Sequence, residues 1–557
     1  MGCGCSKDLI INCCAGSKTE EVQAMLEGCD NQTVDQFLIS VSKVEGFIED
    51  QPQCPKSFDM TIKNEEKQPQ PLDKEDDAPL PFPYAKVDED WPTPGFLEAL
   101  GVHFLNGFPV KDKDSPFPVD FEARNQMVDV FLNEKLSKIY SVFRDAEVGV
   151  RDHRLWTDEG TSLYAFGGAS SQYTRKIETD EKDWKVAELA DENPVYVHDV
   201  TGFGAYEVRE PFERYGAAAY FNDKFEVVGI YLCEFEKVFT PKCTSNTKLE
   251  WEHAKWAWRT TAITTVTFYD HLLKCHMIEA QTLVVATREN LPFDHPMRRF
   301  LKPHCFRTIY INHKTLMNLF GEGQLTERTF AFTYSTAMKA MNDLYNAYQF
   351  ELLPDIFASK KMDGVPDSVY PVQTDVNEFW VIVRKYVASY VAVYWKTDDD
   401  LAQDAHLRGW WNALVSTVIK RKDLVEKFTV DTVVDVIAHF ICNGSIWHQY
   451  VGNAQEYLKY PDIVGSKIRK GQTYNEMQNY VQAVTVGILT GVPMPDLIND
   501  WTFVLLNDVH RQQNINIMSE FQSELLEMSI RVNERNKNRR MPMKFTDPKV
   551  MDVSLGI

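Results

Sequence analysis

Apolar positions in the first half of the chain come in short alternating runs, and in the second half they recur at helical spacing. Residues 195–239 read as strands, and Tyr220-Phe221-Asn222-Asp223-Lys224-Phe225 sets an Asn-Asp pair between apolar runs, a hairpin signal. After Trp251 the pattern is long and helical. Asp375 with Glu378 three residues on predicts a capping pair opening the helix that carries Phe379–Trp395. From Asp431 a further helix is apolar over most of its surface (Val433, Val434, Val436, Ile437, Phe440, Ile441), which predicts a central position, and it leads into His448. The chain becomes apolar as it ends, at Met551, Val553, Leu555 and Ile557, whereas most termini are polar and fray; burial of this end is expected.

Toward the N-terminus the pattern weakens. Residues 19–50 hold a faint amphipathic repeat (Val22, Met25, Leu26, Phe37, Leu38), enough for short helices, and Phe121–Phe143 reads as a helix. Residues 51–94 contain nine prolines among acidic residues and lysines, a composition that buries too little apolar surface to order itself. The expected organisation is therefore an N-terminal segment (1–50), a linker (51–94) and a mainly α body with a small β subregion (95–557).

Hydrophobic residues make up 44% of the 557, ample for a core, and the net charge of −22 argues against nucleic acid, whose phosphates demand dense Lys and Arg. No apolar run is long enough to span a bilayer; Phe379–Trp395 is broken by Arg384-Lys385. Six of the eleven cysteines lie within residues 1–54 and the others are scattered singly, which reads as reduced thiols rather than a disulfide framework. Cys275 reads as a core residue. The start Met1-Gly2-Cys3-Gly4-Cys5-Ser6 fits N-myristoylation at Gly2 with palmitate at Cys3 and Cys5; two acyl chains hold a membrane where one does not. The expected location is the cytoplasmic face of a membrane, lipid-anchored.

Candidate chemistry centres on His271 and His276, five residues apart in an apolar stretch. An ordinary helix turns about 100° per residue, so the two would point about 140° apart and share a metal only across a π-bulge.

Several blocks together resemble the lipoxygenase catalytic domain. They are Trp251…Ala254-Lys255…Arg259; His271-Leu-Leu-Lys-Cys-His276; Val285-Ala-Thr287…Leu291-Pro292…His295-Pro296…His304…Ile311-Asn312; Lys385-Tyr386-Val387…Trp410-Trp411; and Asn538-Arg539…Ser554-Leu-Gly-Ile557. The resemblance implies a mainly α fold, here without the family's N-terminal β-barrel, and a non-haem iron that oxidises polyunsaturated fatty acids with dioxygen. It also implies two histidines on one helix, a histidine with a partner four residues on from a second helix, and the terminal isoleucine carboxylate as ligands. Ile557 matches directly. Counting without gaps from Trp251 makes His271 the second position of the first pair, puts the lost first position at Val266, and leaves His276 in the core; the other register pairs His271 with His276. On the second helix, anchoring on Cys442, Gly444 and Gly452 places the ligand positions at Ile446 and Tyr450. A shift of two residues brings in His448, whose partner four on is then Gly452. The implied set is His271, His448 and Ile557, with His276, Tyr450 and Asn453 as alternatives and Val266, Ile446 and Gly452 as lost positions. So depleted a set leaves two functional expectations: an altered iron oxidoreductase acting on fatty acids or their hydroperoxides, or an inactive pseudo-lipoxygenase serving as a membrane-anchored lipid-binding or scaffold protein.

Overall fold

The structure, a computed structural model, describes residues 152–556 except 179–182, 243–246, 310, 313–318, 321–324, 418–423, 425, 453–459, 461–462, 473–494 and 506–508, together with two short strands, β1 (Gln70–Pro71) and β2 (Ala85–Lys86). The expected acylation site, the short helices of 1–50 and the helix at Phe121–Phe143 lie outside the described residues, as does the linker apart from the antiparallel pairing of β1 with β2.

One small sheet precedes the helical body. Its strands β3 (Thr174–Lys176), β4 (Tyr196–Asp199), β5 (Ala217–Phe221), β6 (Val227–Leu232) and β7 (Lys237–Phe239) form an antiparallel meander in chain order. The expected hairpin joins β5 to β6: Asn222 Oδ1 accepts from the backbone N–H of Lys224 (2.9 Å) and Glu226 (3.0 Å), and Phe225 takes the left-handed conformation (φ 65°) that closes the loop. Ahead of the sheet lies α1 (Asp158–Gly167).

The body is built on helices that wrap one apolar core. α2 (Lys248–Thr265) packs across β5 and β6, then passes without a break into a π-helical segment (Val266–Ala280) and on into α3 (Gln281–Asn290). α4 (Tyr334–Ala347) precedes α5 (Pro371–Tyr394), and α6 (Ala405–Thr417) follows it. α7 (Val430–Cys442) opens on a Thr429/Thr432 capping box, continues through a second π-helical segment (Asn443–Trp447) and ends as α8 (His448–Val451). α9 (Arg511–Asn536) packs along α5, which also packs on α7. As expected, Val433, Val434, Val436, Ile437, Phe440 and Ile441 are all buried.

The expected Asp375/Glu378 cap does not form. α5 starts four residues earlier, at Pro371, where a fixed φ and a missing N–H suit the first turn. Asp375 is instead fully buried and paired with Arg539 and Arg535, so its charge serves a tertiary contact rather than a helix end. The apolar chain end is buried as expected through Gly556: the Leu497 N–H donates to Met551 O (2.9 Å), the Val553 N–H to Pro495 O (3.0 Å), and Ser554 Oγ to Phe306 O (2.8 Å). No helix among the described residues is long and apolar enough to cross a membrane.

Candidate metal centre

The two π-helical segments carry the site. In the first, i→i+5 bonding widens the turn, so residues five apart fall on nearly one face instead of diverging. His271 and His276 therefore converge, with 3.3 Å between their Nε2 atoms. His448 arrives from the other side, immediately after the second π segment, with Nε2 3.0 Å from that of His271 and 3.1 Å from that of His276. All three are buried, at most 8% exposed.

This arrangement brings together the histidines of the His271/His276 register. His276 is not a core bystander, because the wide turn that an ungapped count cannot register brings its ring to the cluster. Val266, at the start of the same segment, is a fully buried apolar side chain with no donor atom to offer. On the second helix Ile446 is likewise part of the core. Tyr450 turns away: its hydroxyl lies within hydrogen-bond reach of Ser171 Oγ (2.6 Å), Gln172 Oε1 (2.8 Å) and Gly168 O (3.1 Å). Gly452 sits against the cluster, where a Cβ would come within 2.9 Å of His271 Nε2 and 2.7 Å of His448 O. Asn453 and Ile557 lie outside the described residues. The tail just before Ile557 runs beside the second π segment, where a Cβ on Gly444 would touch Leu555 Cδ1 at 3.3 Å, and the His304 Nδ1–H donates to Val553 O (3.1 Å).

Asn312, a residue with no charge or periodicity to mark it, fixes one of the rings. Its Nδ2 donates to His276 O (2.8 Å), which orients the amide, so its Oδ1 faces His276 Nδ1 at 3.0 Å and must accept a proton from it. His276 Nε2 is thereby left with its lone pair pointing into the cluster. Burial pushes the His276 pKa down to about 4, against the partial opposition of Asn312, and burial pushes His271 and His448 well below the ordinary histidine range, helped by their neighbouring imidazoles. A neutral imidazole carries a single N–H, and that of His276 is committed to Asn312, so its Nε2 can only accept within the cluster; nitrogens about 2.1 Å from a shared ion and about 90–109° apart would stand at the 3.0–3.3 Å separation seen here. The three histidines form a cluster able to hold a metal ion, and imidazole donors suit iron, zinc, copper or nickel.

The same burial sets a pH dependence. His198, His276 and His304 are all held near pKa 4 by desolvation, below the ordinary 6.5. The unfolded chain therefore binds more protons than the folded one between pH 6.5 and 4, so stability is full above that window and falls as pH drops through it. Urea unfolding of metal-free protein is expected to lose about 1.4 kcal/mol per histidine for each pH unit across the window; a flat profile from pH 6.5 to 4.5 would contradict these protonation states.

Residues 231–461 match the family model for Lipoxygenase. A seed linoleate 9S-lipoxygenase-3 of Pisum sativum is 32% identical over 158 residues (26% of this chain, 18% of the relative). A polyunsaturated fatty acid (12S)/(13S)-lipoxygenase, epidermal-type, of Mus musculus is 22% identical over 317 residues (52% of this chain, 46% of the relative). The chain thus spans less than half the length of these curated relatives. Among solved structures, a lipoxygenase crystallised anaerobically in complex with arachidonate superposes with a TM-score of 0.67 at 15% identity, covering 89% of this chain and 80% of its own. A calcium-dependent 11R-lipoxygenase does so with a TM-score of 0.65 at 16% identity, covering 89% and 79%. Residues 231–461 are thus similar in sequence to the lipoxygenase family, and the chain shares the fold of these lipoxygenase structures.

Proposed function

We propose that the protein is a non-haem iron oxidoreductase of lipoxygenase type, acting on polyunsaturated fatty acids or their hydroperoxides at a membrane. The observation that carries this reading is the convergence of three buried imidazole nitrogens within a lipoxygenase fold. His271, His276 and His448 would hold the iron, with the Ile557 carboxylate as the anionic partner. When bound, the metal supplies the one-electron chemistry that lets a bis-allylic hydrogen be removed and dioxygen be taken up. The chain's own contribution is orientation and dryness: Asn312 keeps the His276 lone pair inward, and the burial of all three rings excludes water.

Gly452 favours the second reading, a catalytically inactive pseudo-lipoxygenase, because it offers no side chain where the family supplies a further donor. Metal analysis of the purified protein, with oxygen uptake on linoleate and arachidonate, separates the two. Near-stoichiometric iron with substrate-dependent uptake is expected; protein that binds no iron when reconstituted would leave the lipid-binding or scaffold reading.

Membrane association rests on Gly2, Cys3 and Cys5, whose acylation would bring the domain to its lipid substrates. A clickable myristate analogue is expected to label the protein in cells, and Gly2→Ala to lose both label and membrane partitioning. Unchanged partitioning of Gly2→Ala would remove this part of the reading.

A further inference from the structure

The two histidine-bearing helices meet through a series of polar contacts at regular spacing. Glu279 Oε2 accepts from His439 Nε2 (3.1 Å), and Cys275 Sγ donates to Asn443 Oδ1 (3.2 Å). His271 then faces His448, with their Nε2 atoms 3.0 Å apart. Along the first helix the three positions fall by four and four (279, 275, 271); along the second they rise by four and five (439, 443, 448). The helices therefore run antiparallel with three rungs, and the one-residue excess on the second falls within its π segment, Asn443–Trp447. Without that extra residue the third rung would present Trp447.

The outermost rung is the most strongly built. Glu279 and His439 are each 2% exposed, and Tyr348 adds a hydrogen bond from its hydroxyl to Glu279 Oε1 (2.8 Å). A polar contact this deep is a poor stability device, since apolar residues of the same volume often serve as well; its value lies in fixing one register among several. Among the described residues His439 Nδ1 has no hydrogen-bond partner, so the group does not satisfy its own polar atoms in full, which a purely stabilising cluster would do. Nor does the chemistry proposed above use any of these residues.

We infer that Glu279, His439 and Tyr348, with the Cys275–Asn443 contact beneath them, are positioning residues: a polar ladder that sets the register of the two π-bearing helices and so decides that His448, not Trp447, meets His271. The ladder rests on the reading of the histidine cluster as a metal centre only for its purpose, not for its geometry.

The test is a triple variant, Glu279→Leu/His439→Phe/Tyr348→Phe, which removes all three hydrogen-bonding groups of the top rung together, and a pair, Cys275→Ser and Cys275→Val, which keeps or removes the donor of the middle rung. Cobalt(II) titration with its visible ligand-field spectrum reads the site. The triple variant and Cys275→Val are expected to fold with wild-type circular dichroism, to bind cobalt about 10–100-fold more weakly and to show an altered spectrum, while Cys275→Ser stays close to wild type. Metal-free crystal structures of wild type and variant give an independent readout: a slip of one residue moves His448 about 1.5 Å along the helix axis relative to His271. A folded triple variant with wild-type cobalt affinity and an unmoved His271–His448 pair would overturn the ladder, and if the triple variant does not fold, the same result in Cys275→Val does so. A wild type that binds no cobalt would instead defeat the proposed function, and the two crystal structures would still decide the ladder.

Discussion

His276→Leu is expected to abolish iron binding, with oxygen uptake lost alongside. Outer-shell partners of metal-bound histidines typically contribute 10–100-fold in affinity, so removing a ring whose nitrogen stands 3.1 and 3.3 Å from the other two should cost more than about 100-fold. The substitution leaves His271 and His448 facing each other across a space that leucine fills with hydrocarbon, and two imidazoles make a far weaker site than three. The discriminating control is Val266→His in the His276→Leu background, which supplies a donor at the position that an ungapped count would assign to the first ligand. Val266 is fully buried in the core, so the added imidazole is expected to destabilise the fold without restoring metal. Iron content by plasma emission spectrometry checks both variants. Iron retained by His276→Leu, or regained on adding Val266→His, would show that the helix takes the other register in solution.

What the sequence made legible and what it hid divide along one physical line. The hairpin at Asn222, the central α7 and the buried chain end follow from local turn chemistry and apolar pattern, and each is found where that pattern predicts it. The spacing of His271 and His276 named a π-bulge as the condition for their convergence, but nothing in residues 266–280 or 443–447 demands a wider turn locally; the polar partners that accompany it, His439 for Glu279 and Asn443 for Cys275, lie about 160 positions away in the chain. Each histidine helix carries its own wide turn. Counting without gaps from Trp251 put the first position at Val266 and left His276 in the core, with the His271/His276 pair as the other register; on the second helix the anchor on Cys442, Gly444 and Gly452 pointed to Ile446 and Tyr450, and a shift of two residues brought in His448. The misreading at Asp375 has a related cause: an acidic residue with a glutamate three positions on looks like a helix start unless its partner, Arg539, is known to return from 164 residues later.

That partnership predicts the largest loss of stability in the molecule. Asp375 is fully buried and accepts from both terminal nitrogens of Arg539 (2.7 Å each), from Arg535 (2.8 Å) and from Thr546 Oγ1 (2.5 Å). Burial alone would lower the Arg539 pKa, but Asp375 and the neighbouring Asp367 more than reverse it, so the guanidinium stays charged inside the protein. Asp375→Ala strands that charge with only the outer carboxylate of Asp367 to meet it, and removing one partner of a buried pair costs about 3–5 kcal/mol. Glu378→Ala, which removes a more exposed partner of Arg531 and Arg535 on the same helix, is expected to cost about 0–1 kcal/mol. In urea the Asp375→Ala midpoint should fall with an unchanged slope, since the surface exposed on unfolding is the same. The substitution also frees the start of the tail. Arg539 and Thr546 pin the segment whose continuation, at Val553 and Ser554, is held by His304 and Phe306 beside the second π segment. Under conditions where the variant is still folded, it should therefore hold iron less tightly than wild type, whereas Glu378→Ala should hold it equally well. Equal iron affinity in both variants would separate the Arg539 anchor from the metal centre and confine Asp375 to folding.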